Sequence, residues 1–404
     1  MDLSTLENLA SPAGLALLAE LPKYDETQTL KLSSQLQTRG VSADLAAAAI
    51  TQSRLRQRAT TKFGPFADQL FFTGPGLEQA TSLSVGALHA RRYLDAGCKE
   101  VIDLTCGIGA DSLSFAALGL NVTAYELDPL TARIAALNLQ PFPEAEIICG
   151  DGLSHDFSQI SKTTGIYADP ARRTQNGNRI FNPKNYQPAL DEVWGLQQIV
   201  PNVGIKIGPG INSADLPKHC EKQWVSVNGQ VVEAGLWFAD LAPNGPTNSA
   251  LILNERTSGI SIENWQSTER IDAECITAQA EVGKYIYEPD GAIIRAHLIN
   301  QVADSVAGKL IDPTIAYFTS DKKLENTQAA TGYRIQDVFP FSLKTLKNYL
   351  RDQKVGILNI KKRGNAIVPE QLRKQLQLKG HQSATIIVTR LLGKATVFVV
   401  NPLT

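Results

Sequence analysis

No window of the 404-residue chain approaches the roughly 18 consecutive apolar residues of a membrane span. The start, Met1-Asp2-Leu3-Ser4, lacks the basic region and apolar run of a secretory signal. A cytoplasmic protein is expected. The five cysteines, Cys98, Cys106, Cys149, Cys220 and Cys275, are odd in number and nowhere spaced Cys-x-x-Cys, which argues against a disulfide framework or a zinc site. Reduced, mostly buried thiols are expected, and no metal. There is no internal repeat and no low-complexity tract, and with 43% hydrophobic and 20% charged residues the chain fits neither a disordered nor a fibrous class. It is too long for one compact core, and at about 150 residues per domain it divides into two or three.

The net charge of −1 is unevenly placed. From Phe341 to Thr404 there are twelve Lys or Arg against Asp352 and Glu370, a net +10, which leaves −11 on the preceding 340 residues. Clustered cations attract phosphates and release counterions, so a basic appendage on an acidic body suggests a polyanion-binding module. A solvated surface that keeps the protein soluble is the plainer account. A second basic stretch, Arg54 to Lys62, carries four cations and no acid, and suits either a phosphate-facing surface or an exposed helix face.

Residues 1–75 read as a helical region: Leu17, Leu18 and Leu21 share a face, Leu45 to Leu55 runs without Gly or Pro, and a Gly-Pro-Gly turn at 74–76 closes it. Between Glu100 and Ile207, short β-rich runs alternate with helical stretches: Val101–Leu104, Val122–Tyr125, Ile147–Cys149, Ile166–Ala168 and Val203–Ile207. Strands separated by helix-length spacers imply right-handed crossovers and a parallel, doubly wound α/β sheet. Ligands of such sheets lie beyond the carboxyl ends of the strands. Further strand candidates at 224–227, 231–237 and 250–253 extend the sheet with antiparallel members, giving a domain over 76–256. Residues 257–333 read as a connecting segment with a turn at Glu288-Pro289-Asp290-Gly291. The basic tail, 334–404, reads helix, strand, helix, strand, strand, a compact α+β unit.

The informative string is Val101-Ile102-Asp103-Leu104-Thr105-Cys106-Gly107-Ile108-Gly109-Ala110-Asp111-Ser112, in which a strand ends in an acid, passes through Gly-x-Gly and enters a helix. Glycines there let the backbone approach a ligand. Ser112 stands where a dinucleotide fingerprint has its third glycine. Asp103 repels a pyrophosphate and suits the ammonium of a methionine moiety. The next strand ends at Glu126, placed to accept from two ribose hydroxyls, and the third is followed by Asp151, placed to accept from an adenine amino group. These features favour S-adenosylmethionine over a nicotinamide cofactor. Helix capping explains any one of the acids alone.

This ordered pattern resembles the class I S-adenosylmethionine-dependent methyltransferases over roughly residues 76–256. The resemblance implies a Rossmann-like sheet with the cofactor held at Thr105, Gly107, Gly109 and the three acids. Upstream, Phe71 to Thr81 is similar to the motif of several nucleic-acid methyltransferases in which a polar side chain touches the cofactor carboxylate, for which Gln79 and Thr81 are candidates; capping accounts for Thr73 equally well. After the fourth strand, Asp169-Pro170-Ala171-Arg172-Arg173 stands where amine-directed methyltransferases carry Asn/Asp-Pro-Pro-Tyr/Phe. Asp169 is then the acceptor-orienting residue, also beside the cofactor, and Pro170 stiffens the loop. Arg172, a catalytic candidate together with Asp169 and Pro170, departs from the motif and removes a stacking platform for a flipped base; salt bridging of Arg172 and Arg173 to the acidic body is the plainer account. The loop also resembles that of uridine C5 methyltransferases, but Lys206-Ile207-Gly208-Pro209-Gly210 has no cysteine nucleophile where they need one. Lys206 either faces the cleft or snorkels. His89, His155, His219, His297 and His381 are isolated and read as structural.

The tail, with Gly356–Ile360, Lys361-Lys362-Arg363-Gly364 and Ala384–Arg390, is similar to the THUMP-like C-terminal domain of a bacterial group of these enzymes, which Asp169–Arg173 and Glu288–Ala292 also match. THUMP domains bind structured RNA, so the resemblance implies a methyltransferase acting on RNA, at a base nitrogen of tRNA or rRNA. The readings left open are a catalytically silent RNA-binding protein that keeps the fold, and a DNA or small-molecule methyltransferase. The oligomeric state is not legible.

Overall fold

A computed structural model describes residues 1–171, 185–212, 215–256, 259–269 and 273–403. It divides into two compact units, one comprising Met1–Cys220 and Leu236–Gly245, the other Glu221–Gly235 and Pro246–Thr404.

The first unit begins with four helices, α1 (Leu3–Ala10), α2 (Pro12–Glu20), α3 (Thr29–Thr38) and α4 (Ala43–Phe63). Their starts are set locally: Asp2, Ser11 and Ser42 cap three of them by accepting backbone N–H bonds from Thr5, Gly14 and Leu45. Leu6, Leu9, Leu36, Leu55 and Phe63 pack into one apolar cluster with Leu77, Ile108 and Ile134, so the helical region shares a core with the segments that follow residue 75. Gly74-Pro75-Gly76 does not close this region as a free turn. It opens α5 (Gly74–Gln79), because Pro75 suits the first helical turn and Thr73 Oγ1 accepts from the Gly76 N–H at 3.0 Å. Helix α6 (Leu83–Asp95) leads into the sheet.

Five strands, β1 (Glu100–Asp103), β2 (Asn121–Glu126), β3 (Ala145–Cys149), β4 (Thr164–Ala168) and β5 (Val203–Ile207), lie in the order β3-β2-β1-β4-β5. All four neighbouring pairs are parallel. Helices α7 (Ala110–Ala117), α8 (Pro129–Leu139) and α9 (Leu190–Gly195) lie between the strands in sequence. Every residue of β4 and β5 is buried, the continuous burial expected of strands covered on both faces. Because the chain steps outward from β1 to β3 and then returns to β4 on the other side of β1, the order reverses between β1 and β4. That reversal opens a crevice at their carboxyl ends.

The second unit holds β6 (Glu221–Val227), most of β7 (Gln230–Trp237), β8 (Asn248–Arg256) and β9 (Gly259–Ser267). Of the strands expected as antiparallel additions, β6 and β8 pair with each other in parallel, while the antiparallel partner of β8 is β9, which lies in the segment read as connecting. The 257–333 segment is built rather than merely connecting. It carries β9, β10 (Tyr285–Pro289), α10 (Gly291–Arg295), α11 (Ile299–Asp304), β11 (Lys309–Asp312), β12 (Ile315–Ser320) and the start of β13 (Ala330–Pro340). Asp290 caps α10 by accepting from the Ala292 N–H at 2.7 Å, which explains the Pro-Asp-Gly signal. The tail supplies α12 (Leu343–Asp352), β14 (Val355–Lys362), α13 (Pro369–Leu376), β15 (Gln382–Leu391) and β16 (Lys394–Pro402). The second sheet has the order β11-β12-β10-β13-β16-β15-β14. Helices α12 and α13 bury Leu346, Leu350, Leu372 and Leu376, leaving Lys344, Arg351, Arg373 and Lys374 exposed. Of the cysteines, Cys98, Cys106 and Cys220 are buried, Cys275 is half-buried and Cys149 is exposed, and none of the five forms a disulfide.

Candidate cofactor cavity and acceptor site

A cavity of about 670 Å³ opens at the carboxyl ends of the first unit's strands. Its lining includes Asp103, Thr105 and Gly107 after β1, Glu126 at the end of β2, Asp151 after β3, Asp169 after β4, Lys206 in β5, and Gln79 and Thr81 at the end of α5. The loop glycines differ in purpose. Gly107 has φ 56°, a left-handed conformation that glycine adopts without strain, and its N–H donates to Glu126 Oε2 at 3.1 Å. Gly109, at φ 85°, is not in the lining; a Cβ there would come 2.6 Å from Leu139, so it serves the packing of α7 on α8. Gly152 lets the loop after β3 pass close to β1, since a Cβ would meet the Leu104 carbonyl oxygen at 2.6 Å.

The three strand-end acids are held in distinct ways. Asp103 is fully buried, accepting from Ser112 Oγ at 2.6 Å and from the Thr105 N–H at 3.1 Å. Burial pushes its carboxyl up to about 7, against the lowering effect of the Ser112 bond. Glu126 accepts from the Gly107 and Asp128 N–H groups, at 3.1 and 2.9 Å, which leaves acceptor sites on both oxygens; burial raises its pKa. Asp151 is exposed at the rim and does act as a cap, accepting from the Leu153 N–H at 3.0 Å.

A buried polar cluster forms the inner wall. Lys206 Nζ lies 2.7 Å from Asp169 Oδ2, 3.9 Å from Asp111 Oδ2, and donates to Thr81 Oγ1 at 2.8 Å. Thr81 in turn donates to Asp111 Oδ2 at 2.7 Å, and the other Asp111 oxygen lies 3.0 Å from His89 Nδ1. Burial alone would raise the pKa of Asp111, but the Lys206 ammonium, then His89 and Thr81, outweigh it and bring it down to about 2. Asp169 is fixed from the other side as well: its N–H donates to Thr105 Oγ1 at 2.7 Å, and Pro170 behind it is buried. The Thr81 hydroxyl is therefore engaged on both sides, which leaves Gln79 as the exposed polar side chain of this pair. Lys62 reaches the same loop and donates to the carbonyls of Leu77, Glu78 and Ala80 at 2.9, 2.9 and 2.7 Å. Three cations of the Arg54–Lys62 stretch are thus occupied by structure, since Arg56 also donates to the Leu70 carbonyl and Arg58 pairs with Glu78. Arg172 lies outside the described residues.

Sequence reasoning did not single out Asp111 or the role of His89, and left Lys206 undecided. The available signals were a lysine inside an otherwise apolar strand and an acid in the first turn of the helix after Gly-x-Gly. Among the described lining residues six carboxylates, Asp103, Asp111, Glu126, Asp151, Asp169 and Glu192, face one cation, Lys206. Such a wall opposes a pyrophosphate and favours a ligand that carries positive charge and no phosphate. S-adenosylmethionine, with its sulfonium and ammonium, fits that description.

The chain is 31% identical to an uncharacterized S-adenosylmethionine-dependent methyltransferase of Mycobacterium tuberculosis, recorded in two strains, over 86% of this chain and 95% of the relative. The chain belongs to the S-adenosylmethionine-dependent methyltransferases. Its fold is that of the crystal structure of a presumed methyltransferase from Porphyromonas gingivalis W83, with a TM-score of 0.72 at 20% identity over 95% of this chain and 100% of that one. Residues 330–402 of this methyltransferase match the family described as THUMP domain-like, and residues 2–59 match a domain of unknown function (DUF8688). The THUMP-like span begins with β13, so it takes in all of that strand besides the basic tail. Among the described residues no helix is long and apolar enough to cross a membrane, and no group of three or more His, Cys, Asp or Glu is placed to hold a metal ion.

Proposed function

We propose that this methyltransferase modifies RNA, at a base nitrogen, with Asp169 orienting the acceptor. The observation that carries the reading is the placement of Asp169 after β4, in one cavity with the acids that end β1 and β2. In the proposed arrangement Glu126 accepts from the ribose hydroxyls, Asp151 from the adenine amino group, Asp103 and the Thr105–Gly107 backbone face the methionine portion, and Gln79 faces its carboxylate. The cofactor, when bound, supplies a methyl group already activated by the sulfonium. Asp169 then accepts a hydrogen bond from the acceptor N–H and holds the nitrogen in line, so the chain's part is chiefly positioning. RNA as the acceptor is supported by the THUMP-like match and by the net +10 of residues 341–404.

The test is transfer of a labelled methyl group from S-adenosylmethionine by the purified protein to total RNA from a strain lacking the chain, with DNA alongside. Label is expected in RNA. Asp169→Ala should lower single-turnover transfer by roughly 10²-fold or more, the scale of a positioned proton-handling group, while Asp169→Asn, which keeps an acceptor oxygen, retains part of the activity. Label in DNA but not in RNA would contradict the substrate class, and full activity in Asp169→Ala would remove Asp169 from the acceptor site.

A further inference from the structure

Behind Asp169 lies a buried polar cluster centred on Lys206. A lysine ammonium is costly to bury unless it is paired and hydrogen-bonded. Lys206 is 5% exposed, in a strand whose other residues are all apolar or glycine, and its Nζ has polar partners in three separate segments. These are Asp169 after β4, Thr81 after α5 and Asp111 in α7. Asp111 is itself bridged to Thr81 and to His89 of α6, so the ammonium sits in a frame anchored to four elements of the fold. The partner at the shortest distance, 2.7 Å, is the carboxylate of Asp169, whose side chain is 22% exposed and lines the cavity.

We propose that Lys206 is a positioning residue for methyl transfer, which holds the Asp169 carboxylate in one orientation and in its ionised form. The proposal rests on the Asp169 reading and deepens it. An ammonium in contact favours the charged form of a carboxylate. In the transfer the acceptor nitrogen's lone pair forms the N–C bond while the methyl–sulfur pair leaves on sulfur. Asp169, held in this way, accepts a hydrogen bond from the amine, and the proton of the methylated nitrogen passes to water, since protonation of Asp169 would break the pair with Lys206. Asp111 keeps the ammonium charged and aimed, and Thr81 fixes its third direction. Among the described residues the other titratable groups facing this corner include His89 from α6, Asp103 from β1, Glu192 from α9 and Lys62 from α4; Glu192, and Asp103 above about pH 7, add negative charge, which opposes ionisation of Asp169 and gives Lys206 its task.

The first measurement needs no substrate. Carboxyl carbon NMR of aspartate-labelled protein, without ligand, follows the Asp169 signal, assigned by its loss in Asp169→Asn. It should not move between pH 5 and 8 in the parent protein. In Lys206→Met the same signal should titrate inside that window. Because Lys206→Met leaves Asp111 buried beside Asp169 and is liable to misfold, the Asp111→Asn/Lys206→Met double variant is measured too; it removes one charge of each sign and should show the same titration. The second measurement is the pH profile of single-turnover methyl transfer to the RNA above, at saturating S-adenosylmethionine. Lys206→Met should lose about tenfold or more at pH 6 and recover as pH rises, and Lys206→Arg should restore a flat profile. An Asp169 signal that titrates alike in the parent and in both Lys206→Met proteins would overturn the proposal. So would a flat profile in Lys206→Met. If Asp169→Ala is fully active while the NMR result stands, the acceptor reading fails and the ion pair remains.

Discussion

Asp103 is expected to make cofactor binding depend on pH. Burial raises its carboxyl to about 7, so below that value the ligand-free site holds a proton that a cationic ligand must expel. Binding favours the ionised form, and affinity should therefore rise with pH up to about 7 and level off above it, with a slope of at most about tenfold per pH unit on the acid side. Calorimetric titration of S-adenosylmethionine from pH 5.5 to 8.5 measures this; a flat profile in the parent protein would contradict it, and Asp103→Asn should be weaker and flat. Glu126→Ala should weaken cofactor binding by about 1–3 kcal/mol, the scale for leaving polar partners unsatisfied. It also frees the Gly107 N–H, so unchanged affinity would remove Glu126 from the ribose site. Asp103, Glu126, Asp151 and Asp169 were legible because each ends or follows a strand, and parallel strands deliver their ends to one edge. The Lys206–Asp111–His89 cluster was not, because residues 89, 111 and 206 meet only once three elements have packed.

At the scale of elements, the short helix α5 depends on a side chain from α4. Its last carbonyls would otherwise lack partners, and the Lys62 ammonium satisfies those of Leu77, Glu78 and Ala80. Lys62→Met should therefore lower stability by about 2 kcal/mol, in the range of hydrogen bonds to a charged group. It should also weaken S-adenosylmethionine binding several-fold by releasing the Gln79–Thr81 loop. Denaturant unfolding and calorimetry read the two effects, and a variant unchanged in both would contradict this role. The five parallel strands announced themselves through continuous apolar runs, whereas β9 to β12 did not. Ile260 and Ile262 of β9 are 54% and 51% exposed, so the strand lacks a buried face. The parallel pairing of β6 with β8 was likewise hidden, since residue pattern reports burial and not strand direction.

At the scale of the whole molecule, the basic segment is not a detachable tail. Strand β13 pairs with β10 on one side and β16 on the other, so a truncation within 330–404 would cut the second sheet through its middle. Charge substitution is the cleaner probe. Replacing Lys344, Lys347, Arg351, Arg373 and Lys374 with Gln should weaken RNA binding and flatten its salt dependence, by about 0.7–0.9 in the slope of log affinity against log salt for each phosphate that is no longer neutralised. S-adenosylmethionine affinity should not change; RNA binding equal to the parent's would return these cations to a solubilising role. The charge asymmetry was plain in the sequence, as were the two helices that carry Lys344, Lys347, Arg351, Arg373 and Lys374, but the burial of Leu346, Leu350, Leu372 and Leu376 on the other side of those helices became visible only in the fold. The central claim, methyl transfer to an RNA base nitrogen directed by Asp169, meets its most direct test in the nucleoside mass spectrum of cellular RNA. A strain lacking the chain should lose one base-methylated nucleoside, which the parent gene restores and the Asp169→Ala gene does not. A nucleoside profile unchanged by the deletion, or one restored by Asp169→Ala, would contradict the account.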